Sequence, residues 1–266
     1  MPDVETLKDV VILGRAAPET LSGSRLTVCT GAWSEHLGFI RLYPCDPEDD
    51  LFSRWDVIDV EVCRNPQDNR DESWKLARSD QASCITKTGE YTKEQRAALL
   101  THVSDDCVED IKERGRSLGV VQPKSISGLE FKDWDDDDGT IQTRLFEEKD
   151  EWQPETRDEF DQEIRVEFTC PGCKTKQGYH NKTLLEWGAY LGAEKNDLSA
   201  GSELEEFYNL NDKDYKHWIF VGNQNNHRTS FIAINILWMK DDVPIYKPIG
   251  KSFPKISDSF VHPAEK

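Results

Sequence analysis

Residues 24–33, SRLTVCTGAW, and 38–44, GFIRLYP, decide how this chain is read. Both are short, rich in β-branched and aromatic side chains, and interrupted or bounded by Gly, Pro or Asp, which is the composition of strands separated by tight turns. Outward from them, residues 9–15 (DVVILGR) and 55–64 (WDVIDVEVCR) repeat the pattern. Four such runs at close spacing predict a small barrel or a strongly twisted sheet at the start of the chain.

Beyond the strands, residues 92–115 carry Ala97, Leu100, Val103, Cys107, Val108 and Ile111 at intervals of three and four, the period of a helix. Thr92 with Gln95 forms a capping box, Gly115 is a stop, and Ser104 with two aspartates is a natural break between two helices. Extended structure resumes over 117–134 and again at 163–170, EIRVEFTC. KTLLEWGAYLGAE (182–194) and SELEEFYNLNDKD (202–214) read as helices, and 217–223 with 230–239 as a hairpin. The expectation is an α+β fold in three parts. Residues 1–128 form a β-barrel-like domain plus a helical middle segment, 129–163 an acidic linker or insertion, and 164–266 an α+β domain with a terminal hairpin and a zinc-knuckle-like CxxC.

Charge and cysteine usage bound the function. The chain has 266 residues and a net charge of −18, whereas proteins that grip phosphates usually carry excess Lys and Arg. Much of the surplus lies between Asp133 and Glu163, which reads as a solvated segment, so an acidic loop can coexist with a basic face elsewhere. No run reaches the roughly 18 apolar residues that span a bilayer. Five of the seven cysteines stand singly among apolar neighbours, as reduced cysteines do in the cytoplasm. A soluble cytoplasmic protein with no membrane partner is expected.

Cys170-Pro-Gly-Cys173 is the one cysteine pair with ligand spacing, and His180 follows in CPGCKTKQGYH. Thiolates and an imidazole on a tight turn select Zn²⁺ over the hard cations. A structural zinc bound by Cys170, Cys173 and His180 is therefore expected, with His227, or else His217, supplying the fourth ligand from the hairpin. A catalytic zinc would need a nearby base, and Glu186 beside Trp187 reads instead as helix packing.

Three further groups suit recognition. In NPQDNRDESWKL, Asp68, Arg70, Glu72 and Trp74 alternate and share a face if extended, giving a guanidinium fork beside a stacking ring. Arg41 and Tyr43 share a face of GFIRLYP, where small barrels stack and hydrogen-bond single nucleotides, and Trp33 can join them. Asn226 and Arg228 lie on the hairpin turn, where amides and guanidinium groups read base edges. Each also has a duller reading: an ion-pair network, core aromatics and ordinary turn chemistry. Glu130-Phe131-Lys132 has the form of a nuclease E-x-K tail but lacks an upstream aspartate partner.

No P-loop, G-x-G-x-x-G, G-x-S-x-G or H-E-x-x-H motif occurs. The phrases VCTGAW, GFIRLYP, NPQDNRDESWKL and SLGVVQP resemble those of a group of prokaryotic proteins, and the small-barrel reading is similar to PUA-like modules, which sense modified bases. The favoured reading is a non-catalytic, zinc-stabilised module that binds nucleic acid or a nucleotide. The alternatives are a metal-dependent nuclease or hydrolase using Asp68, Glu72 or Glu130, and an acidic adaptor for a basic protein partner.

Overall fold

The computed structural model describes residues 3–21, 25–133, 156–157, 160, 162–196, 201–224 and 227–242. Its first sheet is built from β1 (Glu5–Arg15), β2 (Glu19–Leu21), β3 (Arg25–Ser34), β4 (Gly38–Cys45), β5 (Asp56–Arg64), β6 (Ser73–Leu76) and β7 (Ile85–Glu90). Strands run in the order β1-β3-β4-β6-β5, and β5 returns to pair with β1, which closes a five-stranded barrel. The closure depends on β1 serving two neighbours. Its first half pairs with β5 and its second with β3, and a register shift between Leu7 and Val10 bends it between them. Asp9 sits at that bend with φ of 53°.

Period-two alternation fills the barrel. Val10 and Ile12, Val28 and Ala32, Ile40 and Leu42, and Ile58, Val60 and Val62 point inward and pack on Trp74. Their neighbours Val11, Leu13, Trp33, Phe39 and Val57 face outward and are nonetheless buried, because a second layer covers them. That layer is α1 (Lys93–Val103) and a sheet of β8 (Ser104–Asp105), β9 (Leu118–Val121), β13 (Tyr215–Gln224) and β14 (His227–Lys240). Strands buried on both faces read as continuous apolar runs, as residues 10–13 do.

The stretch expected to be a helical middle is mixed. α1 has eleven residues and α2 (Val108–Glu113) six, and the chain between and after them enters the sheet as β8 and β9. Ser104 accounts for the break: its backbone leaves the helix at ψ of 134°, and its hydroxyl caps the Leu100 carbonyl. β9 pairs with β13, so residues on either side of the acidic segment share one sheet. Of that segment, residues 134–155 lie outside the described residues.

A third sheet contains β10 (Ser125–Asp133), β11 (Gln162–Thr169) and β12 (His180–Thr183). Ile164, Val166 and Phe168 turn inward from it and meet α3 (Trp187–Lys195) and α4 (Gly201–Phe207) through Tyr190, Leu204 and Tyr208. Glu186, just before α3, ties the layers together. It accepts from Arg54 at 2.7 Å, from the Tyr208 hydroxyl at 3.1 Å and from the Ile236 N–H at 3.1 Å. With these partners it is a structural pin.

Candidate functional site

β11 delivers Cys170 at its end, the following turn carries Cys173, and β12 begins with His180. Val166 and Phe168 face the core, and register puts His180 opposite Phe168, so the imidazole follows them inward. Its ring stacks on Phe168 at 5.0 Å. Burial, with the Lys182 cation beside it, pulls the His180 pKa down to about 4, so at neutral pH the ring keeps a lone pair for a metal. The third partner is Cys107, fully buried where the chain enters α2. Its Sγ lies 3.4 Å from His180 Nε2.

Ligand atoms of Cys107, Cys173 and His180 all lie within 4.8 Å of one another, close enough to hold a metal ion. Cys170 borders this group. Burial raises its thiol pKa, and the neighbouring thiols of Cys107 and Cys173 raise it further. For Cys173 burial also acts upward, but hydrogen bonding to Thr175 outweighs it and leaves the thiol below its ordinary value. His227, expected as a ligand, is exposed at the start of β14 opposite Gln224 and does not belong to the group. His217 is also elsewhere, with Nε2 2.8 Å from the Tyr208 carbonyl oxygen. Sequence reasoning missed Cys107 because a lone cysteine in an apolar helix pattern looks like any core cysteine.

The arginines expected to meet a ligand are brought together, and most are spent on the protein itself. Arg41 is buried and donates to Cys29 Sγ at 3.3 Å, to Ser117 Oγ at 3.1 Å and to the Asn223 carbonyl at 3.3 Å. Arg70 donates to both oxygens of Asp68 and to the Asn223 carbonyl at 2.9 Å. Burial alone would raise the Asp68 pKa; the hydrogen bonds from Arg70 and Ser73 overcome it and hold the carboxyl at about 2. Arg228 donates to Asn69. Trp74 is buried in the barrel under the Arg64 guanidinium, 3.5 Å from the ring centroid, so it offers no open face. Tyr43 is half-buried, its hydroxyl pKa raised by burial and then by Glu19. Asn226 lies outside the described residues. The duller ion-pair reading of the Asp68–Arg70 loop thus describes its geometry.

Glu72 is different. It lines a cleft of about 370 Å³ where the outer face of β3 and β4 meets the 102–118 segment, together with Trp33 and Phe39 from β3 and β4 and with Asp105, Arg114 and Arg116. The β3–β4 turn is sharp because Gly38 takes φ of 73°, which sets Trp33 and Phe39 side by side in register. Across the cleft the buried Asp105 carboxylate accepts from Arg114 at 2.7 Å and from Arg116 at 2.5 Å. Two guanidinium groups thus share one carboxylate. Arg116 also lies 5.9 Å from the Phe39 ring centroid, and Glu72 accepts from the Ser117 hydroxyl. The cleft combines two largely buried aromatic rings, two guanidinium groups held by Asp105, and the Glu72 carboxylate. Arg114, Arg116 and Phe39 carried no motif in the sequence.

A second cleft, of about 400 Å³, opens beside the Cys/His group, where Lys132, Arg165 and Lys182 face Glu109 and Glu130. Glu130 accepts from Asn181 at 3.1 Å and stands opposite Arg165 in the sheet. The E-x-K tripeptide is therefore part of a cross-strand polar lattice. Among the described residues, no helix is long and apolar enough to cross a membrane.

A domain family of unknown function, DUF8758, matches residues 6–102, the barrel and most of α1. No curated protein matches the chain. One solved structure, described as a murine DNA-binding protein bound with double-stranded DNA, aligns over 90% of this chain and 99% of that one. The identity is 13% and the TM-score 0.29, a likeness too distant to carry any inference.

Proposed function

We propose that the protein is a cytoplasmic recognition module, with a PUA-like barrel and a structural zinc, that takes a nucleobase of a nucleotide or nucleic acid into the cleft between β3, β4 and the 102–118 segment. The observation that carries this reading is the cleft bounded by Trp33, Phe39, Glu72, Arg114 and Arg116. Its volume falls in the range of small-ligand sites, and its lining is the kind bases require. Aromatic and guanidinium planes stack on a base, a carboxylate accepts from an exocyclic amine, and a second arginine meets a phosphate. The net charge of −18 sits largely elsewhere, while the cleft presents two arginines against Asp105 and Glu72.

Zinc belongs to the same reading. Buried thiols and a neutral imidazole form a soft donor set that suits Zn²⁺ and not Mg²⁺. The ion would brace the turn between β11 and β12. Of the carboxylates the hydrolase alternative would use, Asp68 is committed to Arg70 and Ser73 and Glu130 to Asn181, while Glu72 lines the cleft and accepts from Ser117. Fluorescence anisotropy with labelled single-stranded oligonucleotides and free mononucleotides, across a salt series, tests the proposal. Binding that weakens at least tenfold in Arg116→Ala is expected. Absence of binding at low salt by every probe overturns it.

A further inference from the structure

We infer that Cys107 completes a four-ligand zinc site with Cys170, Cys173 and His180, and that the metal thereby fixes the 104–118 segment that forms one wall of the cleft beside Trp33 and Phe39. The inference deepens the recognition reading by naming what holds that site in shape.

The ligand assignment rests on distance and placement. Zn–S near 2.3 Å and Zn–N near 2.05 Å at a tetrahedral angle put a sulfur about 3.6 Å from a nitrogen ligand. Cys107 Sγ and His180 Nε2 stand 3.4 Å apart. Cys173 lies within 4.8 Å of both, while Cys170, three residues earlier on the same turn, is buried in one cluster with Cys107 but is not within that distance of all three. Cys107, Cys170 and His180 are all buried, and Cys173 is partly exposed, so an ion has one side open for entry.

The coupling rests on what surrounds Cys107 in the chain. Two residues before it, Asp105 holds Arg114 and Arg116 across the short helix α2. After α2 the Arg116 N–H donates to the Ile111 carbonyl, and Ser117 joins Glu72 and Arg41. Ser104, Asp105, Arg114, Arg116, Ser117 and Leu118 all line the cleft. Six wall residues thus come from one short segment, and Cys107 anchors it between them. Lys174, one residue after Cys173, reaches back to Asp110 at 2.6 Å and Glu113 at 2.8 Å, so α2 and the knuckle turn also meet through charge. With the metal bound, α2 is tethered to a rigid turn. Without it, α2 keeps those two ion pairs and the core packing of Val108 and Ile111.

The test uses the full chain. Metal analysis is expected to find about one zinc per chain, retained in His227→Ala and lost in Cys107→Ser. Replacement of zinc by cobalt(II) in the unmutated protein is expected to show the visible spectrum of a tetrahedral site with three thiolates, a readout that survives if Cys107→Ser fails to fold. Hydrogen exchange across residues 104–118 is expected to accelerate at least tenfold when a strong chelator removes the metal, while β1 and β3 stay protected. Zinc retained in Cys107→Ser, or a two-thiolate cobalt spectrum, overturns the ligand assignment. Unchanged exchange in 104–118 after metal loss overturns the coupling. Neither measurement uses a nucleic-acid probe, so failure here is distinct from failure of the recognition reading.

Discussion

Arg41 and Arg70, twenty-nine residues apart on the barrel, donate to the same acceptor, the carbonyl oxygen of Asn223 on the distant β13, at 3.3 and 2.9 Å. Two guanidinium groups aimed at one backbone oxygen clamp the end of the hairpin to the barrel. Their place in recognition is consequently indirect: Arg41 donates to Ser117, Ser117 donates to Glu72, and those two residues border the cleft.

The clamp depends on Asp68. Its carboxylate and the Arg70 guanidinium are each less than 10% exposed, so removing one partner strands a buried charge. Asp68→Ala is expected to cost about 3 kcal/mol, as breaking such pairs does. Urea unfolding measures it, and a loss below about 0.5 kcal/mol contradicts the clamp.

Acid weakens the same element, and the sign follows from the direction of the shift. The folded carboxyl is held at about 2 against an ordinary 3.8, so as pH falls the unfolded chain takes up its proton first. The stabilisation is complete above the ordinary value and disappears as pH drops through the folded one. The stability difference between the natural chain and Asp68→Asn should therefore be constant near neutrality and shrink from about pH 4 downward. A difference that stays flat into that range would assign the effect to packing.

Phe39→Ala is expected to weaken oligonucleotide binding roughly 5- to 100-fold, the range of one lost base–aromatic contact. Arg114, two-thirds exposed, should matter less than Arg116, which is one-third exposed and set beside Phe39. Anisotropy titrations of the three alanine variants give the ranking, and equal affinities across them would place the ligand elsewhere.

Gly31 and Phe220 are matched in shape across the interface of barrel and hairpin. A Cβ on residue 31 would come within 2.3 Å of the Phe220 ring, which stacks on Phe39. Gly31→Ala is expected to destabilise by about 1–3 kcal/mol and to lower the thermal midpoint. Phe220→Leu in the same chain should recover part of the loss, and no recovery would locate the strain in β3 itself.

The barrel was legible in the chain because its strands are short runs of β-branched and aromatic residues bounded by turn formers, a local composition that any segment displays unaided. Residues 9–15 and 38–44 show it directly. The CxxC turn was legible for a similar reason, since four consecutive residues define it. Arg70 and Trp74 were misread: alternation put them on one face of an extended strand, whereas Arg70 lies in the loop before β6 and Trp74 turns into the barrel core. Whether a guanidinium serves a ligand or a carboxylate depends on what stands opposite, and that partner can be 153 residues away, as Asn223 is from Arg70.

From the sequence by itself came the strand-rich α+β character, the nearness of Cys173 and His180, and the acidic balance. Tertiary structure alone decided that Cys107 meets His180, that Glu72 reaches a cleft while Asp68 does not, and that Arg114 and Arg116 converge on Asp105. The division has one physical cause. Periodicity and turn chemistry are written into neighbouring residues, but a site assembled from β3, β4 and the 104–118 segment exists only after barrel closure brings those backbones together.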